Sequence, residues 1–408
     1  MKQTYRSVKE KEAIAVFYTG NFLIDFTDSL TFAVYVVFLY KSGLDLLQVN
    51  LINMLFMIAI VFLQVPTGAI ADLIGRKKAV LFASLLAIVG YTLYPVYRNV
   101  YNFAIAELII AISMSFSSGA FEAWMVESST KQGFKGKFDL IFSKNNIYAK
   151  VATIVGGLSG AYLATVDLAL PFYVGGFLSI LVFTFLYIFM VDDSRELVTF
   201  RRIKPAFSKL VQISKEAISY SVSHKVIIWV VLGGALIAFA CQPLNMYWGI
   251  KFNDIFQDKI YLLGWLWAVI ALFSLFGANL TKYLIEKNKN YSQIMTISIL
   301  IIVPSVLIAA GSSLVAAVFA GFMMHEFGRG LLSPIQRAYI NDQAEESKRA
   351  TIFSFDSMAS AAGSAVGLLI FGLIAKAYGI NVSWIIAAFV FLMVIPFYIK
   401  ADSFIKKS

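Results

Sequence analysis

Gly68-Ala69-Ile70-Ala71-Asp72-Leu73-Ile74-Gly75-Arg76-Lys77-Lys78 closes one long apolar stretch and opens another. Two hydrophobic stretches joined by a tight, basic, glycine-containing turn with one carboxylate do not make an ordinary loop of a soluble protein. The turn needs water or lipid headgroups for its charges, while the stretches on either side need an apolar medium.

Composition widens the point. Soluble domains are about half apolar and about a quarter charged, whereas this 408-residue chain is 59% apolar and 14% charged, with mean hydropathy +0.77. A globule of this length cannot hide so much apolar surface, so lipid must solvate much of it. Met1 to Glu12 is polar and lacks a small-residue cleavage site, so no secretory signal is expected there. The single cysteine, Cys241, can form no internal disulfide. The net charge of +10 is spread over short loops between apolar spans, a cytoplasmic bias of Lys and Arg rather than a nucleic-acid surface.

A helix needs about 20 apolar residues to cross the hydrocarbon core. Apolar runs between polar breaks give twelve spans, near 14–40, 46–71, 78–97, 101–127, 140–165, 170–191, 226–250, 260–284, 291–311, 314–340, 351–376 and 382–400. Long unbroken runs fit helices, since a membrane barrel needs alternation. With the N-terminus inside, the inner turns hold Arg76, Lys77, Lys78, Lys131, Lys135, Lys137, Arg201, Arg202, Lys204, Lys287, Lys289, Lys348 and Arg349. The outer side offers only Lys41, Arg98, Lys251, Lys259 and Lys376. That asymmetry places both termini in the cytoplasm. The long polar stretch 192–225 carries Pro205 and an amphipathic piece, Phe207–Ile218, expected to lie as a linker at the membrane surface. It divides the chain into six-span halves, 1–191 and 226–408. A thin internal repeat agrees: Ile141-Phe142-Ser143 and Val155-Gly156 recur at the same spacing as Ile352-Phe353-Ser354 and Val366-Gly367. Gly68-Ala69 recurs as Gly277-Ala278, with Thr281 where Asp72 would fall.

The 68–78 turn resembles the G-x-x-x-D-x-x-G-R-K-K signature between the second and third helices of major facilitator superfamily transporters. The resemblance implies an all-α membrane protein of twelve transmembrane helices in two pseudo-symmetric six-helix bundles, carrying a solute by alternating access. It also implies that Asp72 engages the cytoplasmic end of the eleventh helix, near Ala350 and Arg349, as a latch. From the residues themselves, Gly68 and Gly75 permit close approach and a sharp turn, and Arg76, Lys77 and Lys78 suit the anionic inner leaflet. Gly156-Gly157-Leu158-Ser159-Gly160 partly resembles the fifth-helix glycine motif of facilitator antiporters but has no proline. Gly156 and Gly160, like Gly363 and Gly367, read as close helix packing. The fourth span also lacks the arginine that many drug antiporters carry there.

Ionised groups at mid-bilayer cost roughly 2.5–3.5 kcal/mol each on insertion scales. Half a dozen would cost on the order of 15 kcal/mol, comparable to a domain's net stability of about 5–15 kcal/mol, so they need partners, water or a purpose. Asp25 and Asp28 lie three apart on the first span, with Asn21 and Thr31 on the same face. Two carboxylates so close compete for ionisation, and one of them can hold a proton; the alternative is an edge position or a pair with Lys150. Lys150, flanked by Asn146 and Thr153 in the fifth span, either neutralises Asp25, Asp28 or Glu122 or binds an anionic group of a substrate. Glu122 forms a stripe with Ser115 and Ser118. The tenth span reads His325-Glu326-Phe327-Gly328-Arg329-Gly330, with Glu326 and Arg329 spaced to pair, and Pro334 beyond. His325 reads either as a proton carrier or as a satisfied hydrogen-bonder. Gln242 and Asn245, beside Pro243, are pocket candidates; Trp248 and Trp265 read as interfacial anchors. Glu107 and Asp356 read as solvated or capping groups.

Proton-coupling candidates are therefore Asp25, Asp28, Glu122, Glu326 and His325, and substrate candidates Asn21, Asn146, Lys150, Gln242, Asn245 and Arg329. No P-loop, no metal-ligand spacing and no nucleophile elbow occur, so no enzyme activity, cofactor or metal is expected. The resemblance and the acids together imply a multi-pass cell-membrane protein, a monomer among lipids, exporting amphipathic or cationic small molecules in exchange for protons, without nucleic-acid partners. The alternatives are a proton-coupled importer or uniporter of an organic acid, zwitterion or sugar held by Lys150 and Arg329, a non-transporting receptor or scaffold, and a lipid flippase.

Overall fold

A computed structural model describes residues 2–191, 224–287 and 290–405. Among the described residues every regular element is helical. The helices are α1 (Lys2–Phe32), α2 (Tyr35–Lys41), α3 (Leu46–Ile74), α4 (Arg76–Leu93), α5 (Val100–Ser117), α6 (Ala120–Lys131), α7 (Phe138–Leu163) and α8 (Leu170–Phe189). After the linker come α9 (Lys225–Ile255), α10 (Tyr261–Lys287), α11 (Tyr291–Gly311), α12 (Val315–Gln343), α13 (Arg349–Tyr378), α14 (Ile380–Leu392) and α15 (Ile395–Ile405). The expected amphipathic piece 207–218, most of the linker, and Lys289 lie outside the described residues.

Three expected spans are each built from two helices: α1 with α2, α5 with α6, and α14 with α15. The break in the fourth span falls at Ser118-Gly119, where Gly119 takes φ +75°, a conformation open to glycine at little cost. Among the described residues, nine spans are long and apolar enough to cross a membrane. Helices α4, α7 and α12 fall short of that measure. They carry Arg76-Lys77-Lys78, Lys144 with Lys150, and Glu326 with Arg329. Each is a continuous helix of 18, 26 or 29 residues, packed along α5, α1 and α11 respectively. Neighbouring helices cover Glu326, whereas Lys78, Lys144 and Lys150 are exposed.

By its contacts the chain forms two compact units: Met1–Leu44 with Leu55–Ser208 and Lys259–Trp267, and Asp45–Met54 with Lys209–Asp258 and Ala268–Ser408. The core of the first gathers Phe17, Phe121, Trp124, Met125 and Leu186. Its α1–α7 contact is made through glycines. A methyl group on Gly156 would sit 2.6 Å from the Phe26 carbonyl oxygen, and one on Gly160 would collide with the carbonyl of Leu30. In the second unit Gly367 faces the Phe239 carbonyl at the same 2.6 Å, and Gly363 faces that of Ala235. Gly156 and Gly367 are the repeat positions read from the sequence, and they do the same job in the two halves. Gly68 departs from expectation. A methyl there would meet nothing within 4 Å, so its place in the motif is not one of close packing. Gly160→Ala should therefore destabilise the purified protein by about 1–3 kcal/mol through overpacking. Gly68→Ala should gain up to about 1 kcal/mol from helix propensity. Thermal melts of the two variants that coincided would refute the contrast.

Asp45 opens α3 with a reciprocal cap: its carboxylate accepts from the Gln48 amide, and Gln48 Oε1 accepts from the Asp45 amide. Lys376 Nζ lies 2.8 Å from Asp45 Oδ2. Partial burial pushes this carboxyl up, but the ammonium and the amides of Gln48 and Leu47 outweigh it and hold Asp45 below the ordinary range. A lowered carboxyl stabilises fully above its unfolded value and loses that contribution as pH falls through the lowered one. The melting-temperature gap between wild type and Lys376→Ala should accordingly close on acidification from neutrality to about pH 3.

Candidate functional site

Helical spacing puts Asn21, Asp25 and Asp28 on one face of α1, and that face borders a cavity of about 210 Å³ inside the first unit. Ser84 and Tyr91 of α4, Ser113 and Ser117 of α5, and Ser179 of α8 line it as well. Ser118, Gly119 and Glu122 complete it at the break between α5 and α6. The break matters for Glu122. It ends one helix and starts another, so Glu122 sits in the first turn of α6, where unpaired backbone N–H groups favour a negative charge. Asp28 Oδ1 accepts a 2.8 Å hydrogen bond from Tyr91 Oη. Among the described residues no lysine, arginine or histidine lines the cavity. Glu122 and Gly119 also border a second cavity of about 490 Å³, together with Arg76, Glu127 and Phe142. One carboxylate thus joins the acidic cavity to the motif end of the unit.

At that end Gly75 turns the chain with φ +95°. Arg76 lies 3.6 Å from Asp72 and 3.5 Å from Glu127, and Lys131 lies 3.5 Å from Glu127. Lys77 donates to the Tyr187 carbonyl at 2.9 Å and sits over its ring. Arg76 and Lys77 therefore have protein partners, tying α4 to α6 and α8, and only Lys78 stands fully exposed.

Other expectations need correction. Lys150 is exposed on α7, and no ion pair among the described residues joins it to Asp25, Asp28 or Glu122; it acts on Asp25 only at longer range. Asn146 is likewise exposed. Glu107 is neither solvated nor a cap: it is buried and accepts a 3.2 Å bond from Tyr35 Oη. Ser115 does not join Glu122, since its hydroxyl is buried against the Ala111 carbonyl.

In the second unit the tenth-span residues meet as their spacing indicates. Arg329 Nη1 donates to Glu326 Oε1 at 3.0 Å and to Asn245 Oδ1 of α9 at 2.8 Å. His325 is fully buried against Phe322 and Phe391. Its Nδ1 lies 3.5 Å from Glu326 Oε1, and neither ring nitrogen has a hydrogen-bond partner among the described residues. It is not the satisfied histidine of the alternative reading. Gln242 is buried and donates to the Ala238 carbonyl of its own helix. Trp248 is buried rather than an interfacial anchor, while Trp265 is half exposed and donates to Tyr162 Oη. Asp356 accepts from Gln336 at 2.9 Å.

The sequence profile of the Major Facilitator Superfamily matches residues 17–324 and again 291–407. The chain belongs to the Major Facilitator Superfamily. The "Uncharacterized MFS-type transporter YxaM" of Bacillus subtilis (strain 168) is 24% identical over 385 residues, spanning 93% of this chain and 94% of the relative. Among solved structures, that of nucleoside transporter NupG superposes with a TM-score of 0.76 at 14% identity, over 96% of this chain and 99% of that one. An inward-facing bacterial homologue of the human lysosomal transporter Spinster gives 0.72 at 14% identity, over 98% of each chain. A POT family transporter solved with 5-aminolevulinic acid gives 0.69 at 13% identity, over 94% of each chain. The chain is thus a multi-pass membrane transporter with this family's helical fold. Tyr91, the buried partner of Asp28, was missed in the sequence, and Glu107 was misjudged as solvated or capping, because single polar residues in apolar runs carry no register for what they face.

Proposed function

We propose that the protein is a secondary active transporter of the cell membrane that expels small cations in exchange for protons. The observation that carries this is the cavity lined by Asp25, Asp28 and Glu122 with no basic residue among the described ones. Carboxylates gathered around one cavity repel one another's charge, which favours a cationic ligand among them and, on the half-buried pair Asp25 and Asp28, a proton. Competition of the two for the same oxygens is what exchange requires. Arg329, which an organic acid would need, is already engaged by Glu326 and Asn245, which favours cations over acids. Asn21 would orient the ligand, Asp72 with Arg76 would latch one state, and the bias of Lys and Arg supports termini in the cytoplasm. The cargoes named for the neighbours differ from one another, so the cavity's charge, not the fold, supports this choice.

Purified protein in liposomes tests it with permanently charged probes, which cannot accumulate as weak bases: tetramethylammonium, ethidium and guanidinium. An acidic lumen should drive accumulation of at least one of them, and a protonophore should abolish it. Accumulation only with an alkaline lumen would mean co-transport, and none under either gradient would rule out proton exchange.

A further inference from the structure

The hydroxyl groups around the acidic cavity have a common orientation that narrows its ligand. Each serine or threonine hydroxyl has one proton to donate and two lone pairs to accept with. Ser84 gives its proton to the Val80 carbonyl, Thr27 to Leu23, Ser113 to Ala83 and Ser179 to Gly175, at 2.7–3.1 Å. These four side chains are all buried, so their protons are committed to helix carbonyls. Tyr91 commits its proton to Asp28, and Asn21 commits an amide hydrogen to the Phe17 carbonyl. What these groups have left is lone pairs, apart from the second amide hydrogen of Asn21, and the carboxylates of Asp25, Asp28 and Glu122 join them. Ser117 and Ser118, at the break beside Gly119, are the hydroxyls not committed in this way.

We infer that this cavity is a binding site for small cations rich in N–H donors, primary ammonium or guanidinium groups, and that it discriminates against quaternary ammonium. The inference rests on the cavity being part of the transport path and adds the substrate class. Two physical facts support it. A buried acceptor left without a donor costs about 1–3 kcal/mol, so a ligand that brings charge but no N–H leaves the lone pairs unanswered. A site built to hydrogen-bond rejects such an analogue far more strongly than an apolar pocket rejects an extra methyl group. Size agrees: about 210 Å³ is below the roughly 300–1,000 Å³ of drug-sized pockets, and among the described residues Tyr91 and Phe121 are the only aromatic rings that line it.

The test is equilibrium binding to the purified full-length protein, with no gradient, by isothermal titration at low ionic strength. Putrescine is compared with its hexamethylated bis-quaternary analogue, which has the same charge and carbon spacing but no N–H. Putrescine should bind at least about tenfold more tightly, one hydrogen bond to a charged group being worth about 1.5–3 kcal/mol. Asp25→Asn and Glu122→Gln, neither of which breaks a hydrogen bond in the cavity, should each weaken putrescine by a similar factor. Equal affinity for the two amines, or binding of neither, overturns the inference. Because no gradient is applied, putrescine binding without gradient-driven flux would remove proton exchange and leave the inference standing. Gradient-driven flux of tetramethylammonium with no amine preference would do the reverse.

Discussion

Arg329→Ala is expected to be among the most damaging substitutions in the second unit, costing about 3–5 kcal/mol, as when one partner of a buried pair is removed. Glu326 is 8% exposed and Arg329 29% exposed in their side chains, so water can do little for the carboxylate left behind. The arginine also holds α12 to α9 through Asn245, and that tie would be lost with it. Arg329→Lys should recover only part of the loss, because a single ammonium lacks the planar fork that serves two acceptors at once. The decisive comparison is Arg329→Ala with Glu326→Gln in one chain. If the damage comes from a stranded charge, neutralising Glu326 restores most of the melting temperature. A double variant no more stable than Arg329→Ala alone would place the damage in lost packing instead. The neighbouring His325, buried without a hydrogen bond, gives a further check: His325→Phe should be tolerated far better than Arg329→Ala.

Most of the fold was legible because lipid-spanning helices declare themselves by length and apolarity, and because the Gly68–Lys78 turn has few other uses. The repeat glycines were legible too, since Gly156 and Gly367 recur with their flanking residues and each meets the carbonyl of a phenylalanine. The acidic stripe on α1 followed from a three-residue spacing. What escaped was decided by partners far away in the chain. Lys150 was expected either to pair with an acid or to hold a substrate anion because a lone charge in a span needs compensation, yet it is exposed, and Asp28 meets Tyr91 while Glu122 sits at the helix start at Ala120. That start could not be read from an apolar run in which Gly119 looked like any other small residue. The commitment of hydroxyl protons was equally hidden. Serine at a given position fixes a donor and two acceptors, but only the folded backbone decides which of them the cavity sees.

Asp28→Asn should abolish pH-driven accumulation while leaving the protein folded. The two side chains have nearly the same shape, and the carboxamide oxygen can still accept from Tyr91 Oη, which lies 2.8 Å from Asp28 Oδ1. The ability to take up and release a proton is removed, and with it one negative charge of the cavity. A gradient of one pH unit is worth about 1.4 kcal/mol per proton, so obligatory one-for-one exchange sustains about tenfold accumulation of a monovalent cation. Without the proton site the ratio should collapse to about one, while counterflow of labelled against unlabelled cation, which needs no proton, should persist at weakened affinity through Asp25 and Glu122. Asp28→Glu keeps a titratable group and should keep coupling at a reduced rate. Tyr91→Phe removes the donor but not the acid; it should change the pH at which transport is half-maximal rather than the accumulation ratio at saturating gradient. Should Asp28→Asn still accumulate cation tenfold, Asp28 does not carry the coupled proton, and Asp25 and Glu122, the remaining carboxylates of the cavity, become the residues to neutralise next.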